Sequence, residues 1–181
     1  ISQKTLLSSV LVLLPLSVSA NNAIPPEEVQ EARSLVKAFG GDLKSVLTSA
    51  MKAEGPLKAL DVCNVDAGPI AKKHSGLSGW NIGRTSIKNR NSNNAPDQWE
   101  TSVLSAFEKR KQAGEALETM EYSETVVRDG ETVYRYMKAI PTAGACLVCH
   151  GSNIDEKVAN KIDSLYPQDK ATGFAFGDIR G

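Results

Sequence analysis

The run Cys146-Leu147-Val148-Cys149-His150 sets two cysteines two residues apart and a histidine directly after them. That is the attachment pattern of a c-type haem. Each thiol adds to one vinyl group, so both sulfurs must reach the same porphyrin edge. The neighbouring imidazole then falls under the iron as an axial ligand. Such a chain has to fold around a flat, largely apolar group held at one point late in its length. Two other readings use the same residues. A structural zinc site needs about four protein ligands, and Cys146, Cys149 and two of Cys63, His74 and His150 supply that number on paper. A redox CxxC opens a helix after a strand in a βαβ unit, and a strand-like run does precede Cys146. Neither alternative requires the histidine that follows Cys149.

The N-terminus agrees with haem attachment outside the cytoplasm. Residues 6–18 are apolar but broken by Ser8, Ser9, Pro15 and Ser17, with Lys4 before them and Val18-Ser19-Ala20 after. This reads as a secretory signal peptide over residues 1–20, too short and interrupted for a membrane span. The alternative is an uncleaved membrane anchor. The chain opens on Ile1, so part of the basic leader is expected to be missing. A periplasmic location follows, with residues 21–181 forming one haem-binding domain. The 21 basic residues match the 21 acidic ones, so nothing points to nucleic acid or to a charged membrane surface. Three cysteines make no disulfide framework, and attachment of haem through two of them leaves Cys63 single.

Pro25, Pro26, Glu27 and Glu28 read as a helix start. Val29, Ala32, Val36 and Phe39, then Leu43, Val46, Leu47, Ala50 and Met51, give an amphipathic stripe that Gly40-Gly41 interrupts or bends. Residues 56–73 read as broken helix, and residues 76–92 as extended strand or loop ending in a turn. A helix follows Pro96-Asp97, with Trp99, Val103 and Phe107 on one face and Gly114 after its end. The period then changes. Residues 125–128 and 131–139 flank Asp129-Gly130 as a β-hairpin. Residues 155–165 read as a short helix, and residues 171–177 as a final strand. Helices followed by a hairpin and strands make an α+β domain with a long N-terminal helix.

Iron chemistry leaves the distal ligand open among Cys63, His74, Met51, Met120 and Met137. Methionine raises the potential, histidine gives a low-spin pair, and a thiolate favours ferric iron. Cys63 reads equally well as a small buried hydrophobe. Arg84, Lys88 and Arg90 have the chemistry to hold haem propionates, Arg by a two-pronged match to a carboxylate. They also read as a solvated basic stretch. Trp80, Tyr134, Tyr136, Phe174 and Phe176 are candidate haem walls or ordinary core. No constellation for hydrolysis, phosphate binding or acid–base catalysis stands out, so an enzyme is not expected.

Several blocks carry a resemblance: Asp61-Val62-Cys63-Asn64, Ala67-Gly68-Pro69-Ile70-Ala71, Gly83-Arg84-Thr85-Ser86, Lys88-Asn89-Arg90-Asn91 and Asn94-Ala95-Pro96-Asp97-Gln98-Trp99-Glu100. The haem motif with Gly151, the run Tyr166-Pro167-Gln168-Asp169-Lys170-Ala171-Thr172-Gly173, and Gly177-Asp178-Ile179-Arg180-Gly181 complete the set. Together they resemble single-haem c-type proteins with a PAS-like fold, found alone or as periplasmic sensor modules. The resemblance implies an antiparallel PAS-like sheet flanked by helices, one covalent haem c with its iron, and an unusual cysteine as second axial ligand. The matching position is Cys63. Two functions are then expected: a redox or diatomic-gas sensor, with CO or NO as ligand, or a periplasmic electron-transfer cytochrome. With Gly181 last, a sensor would pass its signal to a separate redox or signalling partner or across a homodimer.

Overall fold

The computed structural model describes residues 23–181. The expected signal peptide lies outside them. Helix α1, Pro26–Glu54, runs unbroken through Gly40-Gly41. Each glycine costs about 1 kcal/mol against alanine in a helix interior, and burial of Ala32, Phe39 and Ala50 on one face offsets this. The helix stops where Gly55 takes φ 79°, a left-handed value open to glycine. Pro56 then begins α2, Pro56–Val65, where its missing N–H costs no helical bond. Helix α3, Ala67–Ser78, follows after Asp66. Both α2 and α3 pack on α1. No helix of the described residues is long and apolar enough to cross a membrane.

Helix α4, Gln98–Gln112, starts at a reciprocal cap. Asp97 accepts from the Glu100 N–H at 2.7 Å, and Glu100 accepts from the Asp97 N–H at 2.8 Å. The hairpin is longer than the sequence suggests: β1 spans Glu121–Arg128 and β2 spans Glu131–Lys138. The strands pair antiparallel from Glu121–Lys138 to Arg128–Glu131. Asp129 and Gly130 both take positive φ, 54° and 81°, which matches the strand twist.

These two strands are the whole regular sheet of the described residues. The strand expected over residues 171–177 does not form. Its backbone bonds go to the haem motif and to Thr142 instead, and a single bridge joins Pro141 to Ile179. Of residues 76–92, read as strand or loop, 76–78 instead end α3, Ser92 opens a 3-10 turn and the rest form no regular strand. The four-residue α5, Leu147–His150, carries the motif, and α6, Glu156–Leu165, follows with Asp155 as its cap.

Two apolar clusters hold the domain. One joins Val103 and Phe107 of α4 to Leu117, Met120, Ala139 and Ile179. The other joins Leu60 of α2 to Val158 and Ile162 of α6, with Cys149 packed against it.

Candidate functional site

Cys149 borders the α2–α6 cluster, and Leu60 belongs to that cluster. Cys63 lies three residues beyond Leu60, so it shares that face of α2. Lys161 of α6 binds Asp61 of α2 at 2.7 Å across the same contact. This packing brings Cys63 towards the haem motif, although 83 residues separate it from Cys146 in the chain. Burial raises the Cys149 thiol, and the charge of Cys63 adds to the rise. All three cysteines are free and partly buried.

The chain from Asp169 to Phe174 clamps the motif from a second side. Gly173 donates to the Gly151 carbonyl at 3.0 Å and Phe174 to that of His150 at 2.9 Å. The His150 Nδ1 lies 2.7 Å from the Ala171 carbonyl. A carbonyl can only accept, so Nδ1 carries the proton and Nε2 keeps its lone pair. This is the arrangement that orients a metal-binding histidine. Burial, with Arg180 and Arg90 adding to it, pushes His150 down to about 3, so the ring stays neutral. Phe174 meets the imidazole edge-on, 6.2 Å between centroids.

A third segment, residues 84–90, closes the arrangement. Arg90 binds Asp169 through Nε and Nη2, both at 3.2 Å, and reaches the carbonyls of Cys149 at 2.6 Å and Ala171 at 3.3 Å. It is a strut that fixes the haem motif against residues 169–171, with its charge already matched. The structure gives Arg90 this bracing role beside the sequence expectation that it holds a propionate. Lys88 binds the Thr172 carbonyl and covers the Phe174 ring at 4.4 Å.

Arg84 has no hydrogen-bond partner among the described residues, and burial lowers its pKa. Arg84, Arg90 and Arg180 all act on Cys63; burial raises that thiol and the three guanidiniums oppose the rise. The sequence reading missed Arg180 and Asp169. Both stand within blocks that carry the resemblance, Asp169 in residues 166–173 and Arg180 in residues 177–181, yet neither has a local sign of what it touches.

Other candidates fall elsewhere. His74 is buried and lies 3.0 Å from Asp42, binding α3 to α1. Met120 fills the α4 cluster and Met137 packs on it. Trp80 donates to Glu31 at 3.0 Å, and Tyr136 to Glu121 at 2.7 Å. Phe174 is at the site, while Phe176 is 75% exposed. The zinc alternative fails on geometry, since no three His, Cys, Asp or Glu side chains of the described residues gather as a metal site. The redox alternative lacks its strand: a 3-10 turn, Gly144–Cys146, leads into α5.

Fold and site together define an α+β protein with a long N-terminal helix and a CxxCH segment gripped by residues 169–174. The chain belongs to the Tll0287-like family, whose profile matches residues 18–181. A similar solved structure is described as the crystal structure of the cyanobacterial heme-protein Tll0287. The two share 23% identity over 87% of this chain and 92% of that one, with a TM-score of 0.66. At that identity the likeness shows the fold. No curated protein matches the chain.

Proposed function

We propose that this chain is a monohaem c-type cytochrome of the periplasm and that it works as a redox or gas sensor. The observation that carries the reading is His150, neutral, with Nδ1 bonded to the Ala171 carbonyl and Nε2 free, beside two free thiols at attachment spacing. Each of Cys146 and Cys149 adds sulfur and hydrogen across one vinyl double bond. The product is a thioether, and no electron acceptor is needed. His150, through Nε2, and Cys63 would hold the iron. When bound, the haem supplies a one-electron iron couple and, at any open position, affinity for CO or NO. The family relationship and the haem-protein description of its solved neighbour support this reading. So does the hairpin with flanking helices, which we take as a reduced PAS-like module.

The sensor role draws support from where Cys63 sits. It rides near the end of α2, and α2 packs on both α6 and the long α1. A change in the bond to Cys63 therefore biases a contact that ties the site to the longest element of the fold. Electron transfer is the second reading, favoured by Val148, 40% exposed between the two attachment cysteines. This leaves an edge of the site open to a redox partner.

Ferric EPR of Cys63→Ala tests the distal assignment. Loss of the wild-type low-spin signal is expected, and an unchanged signal rules Cys63 out. CO binding separates the roles: uptake by the ferrous wild type supports the sensor, and a ferrous protein that binds nothing supports the carrier.

A further inference from the structure

The charges of Arg84, Arg90 and Arg180 all favour the Cys63 thiolate, and those of Arg90 and Arg180 also act on His150. Asp169 matches the charge of Arg90, both side chains being less than a tenth exposed. Among the described residues no carboxylate pairs with Arg84 or Arg180. Arg180 has a buried Nε with no hydrogen-bond partner, and its best polar contact is the Lys88 carbonyl at 3.4 Å from Nη1. A partly buried guanidinium left in this way is costly, because charge taken out of water needs a partner and hydrogen bonds. Burial brings Arg180 down to about 10, and repulsion from Arg90 and Arg84 adds to the fall.

The backbone holds both cations in place. Arg180 donates its N–H to the Ile140 carbonyl at 2.8 Å, and Ile140 donates to Gly181 at 2.8 Å. Gly181 lies so close to Thr85 that a Cβ there would come within 2.3 Å of the Thr85 carbonyl. The segments bearing Arg84 and Arg180 are therefore packed together. The Arg180 guanidinium also lies 5.3 Å from the centre of the Phe174 ring, which His150 meets edge-on. Two fixed positive charges beside the thiols and the imidazole lack two negative ones.

We infer that Arg84 and Arg180, and not Arg90, form a receptor for two carboxylates, and that the porphyrin's two propionates occupy it. This rests on the haem reading above. Two guanidinium cations and two carboxylate anions balance in charge, and the planar guanidinium suits a carboxylate better than an ammonium does.

Resonance Raman spectra and potentiometry of haem-loaded Arg84→Met, Arg180→Met, Arg84→Lys and Arg180→Lys test it. Each Met variant is expected to keep pigment that resists acid–acetone, to lose one hydrogen-bonded propionate bending band, and to move to a more negative potential. Each Lys variant is expected to retain the wild-type potential more closely while its band shifts. Wild-type bands and potential in the Met variants overturn the inference. If the Met variants do not accumulate, unchanged bands in both Lys variants overturn it equally. A wild type that gives up its pigment would sink covalent attachment, whereas intact pigment with unaltered bands sinks the arginine receptor alone.

Discussion

The hairpin side of the molecule and the haem-motif side treat charge in opposite ways. Around the hairpin four bridging cations have their anions: Arg33 meets Glu121, Arg135 meets Asp97, Arg110 meets Glu115 and Lys111 meets Asp178. Arg135 also covers Trp99 at 4.1 Å, and a closed apolar cluster lies beneath. On the other side the apolar cluster is smaller, three thiols stand apart, and two of three arginines have no counter-charge. The first region is satisfied by its own residues. On the proposed reading the second is completed by a further group, and that difference separates scaffold from site.

The largest effect that sharpens this contrast is expected at Phe107, which has no exposed surface. Phe107→Ala should cost about 3–5 kcal/mol in urea unfolding, with the spectrum of the folded fraction unchanged. Altered iron ligation in the folded variant would mean that the two regions are not separable. A smaller effect is expected from Gly151→Ala. Its Cβ would stand 2.7 Å from the Leu147 carbonyl, backbone of the turn that bears His150. The penalty should be about 1–3 kcal/mol, the usual range for overpacking, and this time the ferric spectrum should change as well. Gly41→Ala is the counterpart within α1. Nothing lies within 4 Å of its added carbon, so a gain of about 0.5–1 kcal/mol in thermal unfolding is expected, with no spectral change.

The smallest effect concerns acid. The hydrogen bond from Arg33 holds Glu121 below its ordinary 4.5, and that from Lys111 holds Asp178 below its ordinary 3.8. Folded values below unfolded ones mean that the stability is present above about pH 4–5 and is lost as pH falls through the folded values. Solvent screens both groups, so the decline should be shallow. Glu121→Gln should flatten part of it in a pH series of urea midpoints. An identical slope in that variant would remove the Arg33 pairing from the account.

Much of this was legible in the residues. The stripe from Val29 to Met51 marks α1, Asp129-Gly130 marks the hairpin, and Cys146, Cys149 and His150 mark the segment that residues 169–174 grip. What was misread has physical causes. Gly40-Gly41 suggested a bend, but the packing of Phe39 and Ala50 outweighs the weak helix preference of two glycines. Residues 171–177 alternate as a strand would, yet their N–H groups serve His150, Gly151 and Thr142. Periodicity cannot show which partner a backbone amide takes. Arg90 and Arg180 are alike as letters. Their roles part only because Asp169 reaches one and not the other, and such long-range pairing has no local signature.

The central claim is that this region is completed by one covalently attached haem. Intact mass spectrometry of denatured protein, purified after normal export and maturation, tests it most directly. The account predicts a mass equal to the mature chain plus one haem, and its loss when Cys146 and Cys149 are both replaced by serine. A wild-type mass equal to the bare chain would contradict it.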